Sequence, residues 1–231
     1  MTSELIKPIR WRRLALRLIA AIILLPGVLT LLFAVAPVPI TPLMILRAID
    51  GAPIDKQWVP LEKIALHLQR SVIAAEDATF CSHHGFEFEA MKKAWDGYQR
   101  GERLRGGSTI TMQTAKNVYL WPGRTLFRKG LEAWLTLYLD ALWSKQRTLE
   151  VYLNIVEWAP GVYGAEAAAQ YHFRKSATAL SADEAALLAS VLPSPRRWSA
   201  SKPGPYVRTR AQTIAYRATQ MGDGSSCLAK K

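Results

Sequence analysis

"AAEDATFCSHHG", residues 74–85, sets two acids, Glu76 and Asp77, where an apolar helical rhythm stops, and closes on two histidines and Gly85. Upstream, Leu61, Ile64, Ala65, Leu68, Val72 and Ile73 recur at i, i+3, i+4, a spacing that predicts an amphipathic helix running into Glu76. Paired carboxylates at a helix end fit three roles: solvation of the terminus, a metal site, or an acid–base centre. A carboxyl bordered by apolar residues tends to hold its proton closer to neutrality, which suits a proton acceptor. Adjacent His83 and His84 point in different directions on most backbones, which argues against a metal. What decides among these roles lies elsewhere in the chain.

Working outward, the helical period persists. "FEAMKKAWDGYQRG" (88–101), "STITMQTAKNVYL" (108–120) and "TLFRKGLEAWLTLYLDALWSK" (125–145) each read as helix, the last with Leu131, Trp134, Leu135, Tyr138 and Leu142 on one apolar face. "TLEVYLNIVEW" and "GAEAAAQYHF" continue the pattern around a turn, "APGVYG". Ser181 and Glu184 have capping-box spacing ahead of "AALLASVL", and Pro193 and Pro195 end that run. A last helix is expected near 206–221, then a frayed polar tail, "GDGSSCLAKK", over 222–231. Without a strand alternation of useful length, the fold class is mainly α.

The N-terminal part is different. No charge occurs between Arg17 and Arg47, and "LRLIAAIILLPGVLTLLFAVAPVPI" exceeds the roughly 20 apolar residues of a membrane helix. The apolar core is too long for a cleaved leader. The expected order is a basic N-terminus (1–13), a transmembrane helix (14–36), a Pro-rich linker (37–57), one catalytic domain (58–221) and the tail. Lys7, Arg10, Arg12 and Arg13 precede the span and Arg17 lies in its first turn, so the positive-inside rule puts the N-terminus in the cytoplasm and the domain outside. The chain carries a net charge of +12, most of it downstream of the span. With the domain outside the cytoplasm, those cations point to lipid headgroups or an anionic substrate rather than nucleic acid. Cys81 and Cys227 lie in an oxidising compartment, and sequence alone leaves open whether they pair.

Two further clusters bear chemistry. In "GGSTITMQTAKN" (106–117), Gly107 before a helix start allows close backbone approach and frees amide groups for an anion, with Ser108 and Thr109 adding hydroxyls. Gln113 and Asn117 share a helical face with Lys116 beside them. In "FRKGLEAW" (127–134), Arg128 and Lys129 stand four and three residues before Glu132, a spacing that an ordinary surface ion pair explains equally well. Taken together, two separated glutamates with Lys116, Arg128 and Lys129 suit glycosyl transfer from a phospho-sugar. A sugar leaving group must be protonated, whereas a phosphate leaving group needs positive charge.

"AAEDATFCSHHG", "GGSTITMQTAKN", "RKGLEAWL", "SKQRTLEVYLNIVEW" and "SADEAALLASVLPSP" resemble, in that order, the successive motifs of the peptidoglycan glycosyltransferases, most closely the monofunctional biosynthetic transglycosylases. The resemblance runs from about Trp58 to Arg210. It implies a lysozyme-like helical domain with a smaller membrane-proximal jaw, and an inverting transfer that joins lipid II units into β-1,4-linked strands and releases undecaprenyl diphosphate. It implies Glu76 as general base, Glu132 as a second essential glutamate on the donor side, and Lys116, Arg128 and Lys129 at the diphosphate. Gly107, Ser108, Thr109, Gln113 and Asn117 would line the cleft, while Asp77, Phe80 and His83 shape the base's turn. No cofactor is required, although Mg2+ or Mn2+ at the diphosphate is compatible with it. Partners are lipid II, the growing strand and a cell-wall synthesis complex, at the bacterial inner membrane with a periplasmic domain. Glu87 stands where the family usually has aspartate. Met91, Trp95 and Tyr98, interleaved with Lys92, Lys93, Arg100, Arg103 and Arg105, are expected to form a mobile membrane-facing flap. The rival readings are a lytic transglycosylase or lysozyme-like hydrolase, which shortens strands, and a non-enzymatic cell-wall scaffold.

Overall fold

The computed structural model describes residues 8–101, 107–123, 125–221 and 226–228. The protein is mostly helical, as expected. Helix α1 (Pro8–Phe33) is followed by α2 (Pro42–Ile49), α3 (Leu66–Glu76), α4 (Phe88–Gln99), α5 (Ile110–Tyr119), α6 (Leu126–Leu142) and α7 (Lys145–Ile155). Next come α8 (Ala165–Phe173), α9 (Ala182–Val191) and α10 (Pro205–Thr219). Three very short strands, β1 (Asp55–Lys56), β2 (Glu157–Ala159) and β3 (Val162–Tyr163), form a sheet in the order β1-β3-β2. β1 runs parallel to β3, and β2 antiparallel to it.

Helix α7 organises the domain. Thr148, Leu149, Val151, Tyr152, Leu153, Asn154 and Ile155 are all buried, so the helix has almost no solvent face. Leu149, Tyr152 and Leu153 pack with α3, α8, α9 and α10, while Val151 and Ile155 pack with Met44 of α2 and residues of α5 and α6. Two apolar layers thus share one central helix, and the ends of α3 and α5 are brought together beside it. The capping box closes α9 as its spacing predicts: Ser181 Oγ accepts from Glu184 N at 3.2 Å and Glu184 Oε2 from Ser181 N at 2.9 Å.

Four expectations need correction. The helix expected from Leu61 begins at Leu66, because Gln69 Nε2 donates to the carbonyls of Leu61 and Ile64 and Ala65 N is drawn to Ala177 O. Residues 37–57 are no linker. They hold α2 and β1, and Val38 and Met44 are fully buried in the second layer. Proline there serves order: Pro42 opens α2 behind the cap Thr41, whose hydroxyl accepts from Met44 N. The helix expected over 14–36 runs instead over Pro8–Phe33. Finally, part of the expected tail is fixed, since Cys227 forms a disulfide with Cys81 across 146 residues of sequence.

Within α1, the 23-residue stretch Trp11–Phe33 contains an 18-residue window of mean hydropathy 2.4 that is left almost wholly unburied by the rest of the protein. At 1.5 Å per residue this is about 35 Å, enough to cross a hydrocarbon layer. Leu16, Leu18, Ile22, Leu24 and Leu25 are exposed along it, which water would not tolerate as one continuous surface.

The disulfide joins the turn after Glu76 to the end of the chain, closing a long loop. Reduction, or Cys227→Ser, is expected to lower the unfolding free energy by about 2–4 kcal/mol, read as a shifted midpoint in chemical denaturation of the full chain with and without a thiol reductant.

Candidate active site

Glu76 is the last residue of α3 and Asp77 caps it, with Asp77 N donating to Ile73 O at 2.8 Å. The two acids then part. Asp77 turns inward and is buried; its carboxylate accepts from Ile110 N at 2.8 Å, at the first residue of α5, and pairs with His83 Nε2 at 2.9 Å. A carboxylate on the free amides of a helix start is favoured by the peptide dipoles there. Thr109 completes that start: its hydroxyl accepts from Met112 N at 3.1 Å and donates to Gly85 O at 2.6 Å. Gly85 has φ +70° and a Cβ there would meet Thr136 at 3.1 Å, so the turn closes only with glycine. Phe80 is fully buried and stands edge-on to His83, with Lys145 Nζ 4.8 Å over its ring. The 74–85 turn is therefore held from three sides.

Glu76 faces the cleft. Gln113 Nε2 donates to its Oε2 at 3.0 Å, and Arg210 Nη2 of α10 lies 3.7 Å from Oε1. Burial raises the Glu76 carboxyl above its usual range, and Gln113, Arg210 and Lys116 only partly oppose it. Gln113 is itself oriented, because Tyr152 OH donates to its Oε1 at 3.1 Å. Burial, with Glu76 and Asp77 near, pushes the Tyr152 phenol well up, so it stays protonated, and its donation to Oε1 leaves the Gln113 amide nitrogen facing Glu76. Tyr152 and Arg210 escaped the reading of this site from sequence. They approach from α7 and α10, far away in the chain, and carry no local spacing signal.

At the other end, Glu132 is buried on α6 with its side chain 3% exposed. Arg128 Nη1 donates to Oε2 at 2.8 Å and Lys129 Nζ to Oε1 at 2.5 Å. The surface ion pair that the spacing also allowed is set aside, since the Arg128 side chain is 8% exposed, whereas Lys129 at 39% keeps its ammonium accessible. Lys129 Nζ also donates to Ser108 Oγ at 3.0 Å. Ser108, Gly107 and Thr109 line a cleft of about 220 Å³ together with Glu76, Asp77, Glu87 and Arg217. Gly107, at φ +76° with Met91 Cα 3.1 Å from a would-be Cβ, brings the backbone against α4. Glu87 caps α4 by accepting from Ala90 N, so the departure noted in sequence retains a capping role.

Lys116 connects the two ends. Burial pushes its ammonium down; Glu132 raises it, Arg128 and Lys129 lower it further, and Glu76 raises it. Both glutamates are close enough to act on one lysine. Asn117 is buried beside it on α5. Trp95 and Tyr98 are exposed and stacked at 5.8 Å on α4, while Arg103 and Arg105 of the expected flap lie outside the described residues. His84 is exposed, and among the described residues no group of three or more His, Cys, Asp or Glu gathers to hold a metal.

Comparison with known proteins gives the family. A family model described as transglycosylase matches residues 44–219. The chain belongs to the transglycosylase family. It is 50% identical over 203 residues to a biosynthetic peptidoglycan transglycosylase of Caulobacter vibrioides, covering 88% of this chain and 89% of the relative. A protein of the same name from Rhodospirillum centenum is 53% identical over 209 residues, covering 87% and 90%, and one from Pseudomonas aeruginosa is 52% identical over 192 residues, covering 80% and 83%.

The two glutamates should respond oppositely to neutralisation. The folded protein raises the Glu76 pKa, so the stability linked to that group is full below about its ordinary 4.5 and is lost as pH rises through the folded value. Glu76→Gln is expected to be more stable than the parent at pH 7, with the gain vanishing below pH 4.5. Glu132→Gln leaves Arg128 buried with half a partner and is expected to lose about 3 kcal/mol. Urea denaturation across pH measures both.

Proposed function

We propose that this chain is an inverting glycosyltransferase of cell wall synthesis that uses lipid II as donor and acceptor, polymerises it into β-1,4-linked glycan strands and releases undecaprenyl diphosphate. The observation that carries this reading is the cleft that holds Glu76, bonded to Gln113, at one end and Ser108, bonded to Lys129 of the Glu132 cluster, at the other. The matching names of relatives about half identical over most of the chain support it.

The chemistry follows from the two ends. The acceptor's 4-hydroxyl gives its proton to Glu76 as its oxygen bonds to the donor's anomeric carbon. The bond from that carbon to the diphosphate oxygen breaks, and its electron pair leaves with the diphosphate. Inversion follows because one displacement brings the acceptor in opposite the leaving group. A base with a raised pKa is a better acceptor for a proton that the alcohol releases only as its oxygen bonds to carbon. Lys129, half exposed and already aimed at Ser108, meets the developing negative charge, with Lys116 and Arg128 behind it. Glu132 acts by holding Arg128 and Lys129 in place. These side chains supply the positive charge, and a Mg2+ or Mn2+ ion bound with the diphosphate would add to it.

A polyprenyl diphosphate sugar is confined to the bilayer surface, so the span of α1 keeps the cleft where the substrate is. Arg12, Arg13 and Arg17 at its start orient the N-terminus to the cytoplasm and the domain to the periplasm, within the inner membrane and within reach of a synthesis complex.

Purified protein incubated with labelled lipid II is expected to build long, muramidase-sensitive strands. Glu76→Gln should lose at least about 10²-fold in turnover, and in the parent the rate should fall as pH drops through a group titrating above 4.5. Shortening of preformed strands without any polymer from lipid II would sink the reading in favour of a hydrolase.

Tyr152→Phe, which removes only the hydroxyl that orients Gln113, is expected to lower turnover about tenfold with little change in KM, measured in the same assay.

A further inference from the structure

Helix α1 ends with carbonyls that the chain's own backbone does not all satisfy. Those of Leu31 and Leu32 accept from the amides of Ala34, Val35 and Ala36. Those of Thr30 and Phe33 are taken by side chains of the catalytic domain. Trp143 Nε1 donates to Thr30 O at 2.7 Å, and Arg147 donates twice to Phe33 O, from Nε at 2.9 Å and Nη2 at 2.8 Å. Beyond the helix, Arg147 Nη2 reaches Ala36 O at 2.5 Å, and Lys56 Nζ reaches Val38 O at 2.5 Å and Pro39 O at 3.0 Å. Trp58 stacks against both cations, 5.4 Å from Lys56 and 5.3 Å from Arg147.

The same helix, α7, secures the returning chain. Glu150 pairs with Arg147 and accepts from Leu61 N, and Asn154 both accepts from Val59 N and donates to Val59 O. Higher on the span, Tyr138 OH donates to Ile23 O at 3.0 Å and packs on Gly27, close to the interruption at Pro26, and the hydroxyls of Thr30 and Tyr119 meet at 2.8 Å. A helix C-terminus carries partial negative charge, so Arg147 there gains from the dipole as well as from each hydrogen bond. A flexible tether would leave those carbonyls to water and lipid headgroups.

We propose that Arg147, Lys56 and Trp143 clamp the catalytic domain onto the end of its own span, so that α1 fixes the orientation of the cleft relative to the bilayer. They are positioning residues and touch no reacting atom. Substitution of the planar, doubly donating guanidinium breaks the clamp, and lysine does not replace it.

The test uses the full chain in lipid nanodiscs with spin labels at Leu18→Cys on the span and Tyr216→Cys on α10, both exposed, while Cys81 and Cys227 remain paired. Pulsed dipolar spectroscopy is expected to give one narrow distance population in the parent. Arg147→Ala with Lys56→Ala should broaden it, and Trp143→Phe, which keeps the ring and loses the N–H, should broaden it less. The Trp143→Phe variant carries the comparison should the double variant fail to fold. A broad distribution in the parent, or variants as narrow as the parent, overturns the clamp. The consequence for catalysis rests on the polymerase reading: turnover of lipid II in bilayers should fall about tenfold in Trp143→Phe and stay at the parent's level in detergent. Broadened distances with no polymerisation by any form, parent included, would leave the clamp standing and remove the polymerase.

Discussion

The Asp77 carboxylate is the tie on which the rest of the site depends. It is fixed by its own amide to the end of α3, and its oxygens hold the first amide of α5 and the ring of His83. Those bonds join one helix's C-terminus to another's N-terminus, an arrangement in which the dipoles favour a negative charge on the α5 side. Because α3 and α5 meet end to end, the residue before Asp77 and the residue three after Ile110 fall opposite each other. That is how Glu76 and Gln113 come within 3.0 Å. Adjacent acids thus divide their work. Asp77 is spent on structure, and Glu76 is left mostly shielded from water with a single good donor and a distant guanidinium, conditions that raise its pKa.

The donor end is built on the opposite principle. Glu132 is more buried than Glu76 yet has two cations in direct contact, so its charge is matched where Glu76's is left partly unmatched. One carboxyl is prepared to change protonation state and the other to keep cations in register. Buried ion pairs contribute little net stability compared with apolar packing, and their value lies in geometry. Arg128, at four residues from Glu132, is locked; Lys129, at three, remains half exposed with a contact to the cleft wall at Ser108. The helical offset of one residue separates a structural cation from an available one.

Much of this was legible in the chain because it is local. The part of the apolar rhythm from Leu68 to Glu76, the Arg128–Glu132 spacing and the Ser181–Glu184 box are fixed by helical geometry, and the structure repeats them. What was hidden depends on distant parts of the chain meeting. Nothing near Tyr152 or Arg210 signals that α7 and α10 lean on Glu76, and no spacing announces a disulfide across 146 residues. The Pro-rich stretch 37–57 is ambiguous in sequence for a different reason. Proline marks linkers and helix starts alike, and only the burial of Val38 and Met44 separates the two.

That ambiguity bears on how an anchor is understood. Had 37–57 been a free linker of about twenty residues, the domain would sample every tilt on the bilayer, and the local concentration of substrate would be the span's only contribution. Ordered instead, the segment leaves the span, forms α2, adds β1 to the small sheet and is stitched to α7 at Val59 and Leu61. The same α7 supplies Tyr152 to orient Gln113 and Arg147 to bind the end of α1. One buried helix therefore touches both the proton-accepting end of the cleft and the end of the span. Orientation in the membrane and orientation of the catalytic amide are set by residues five apart on a single element, held rigid by the apolar layers packed on two of its sides.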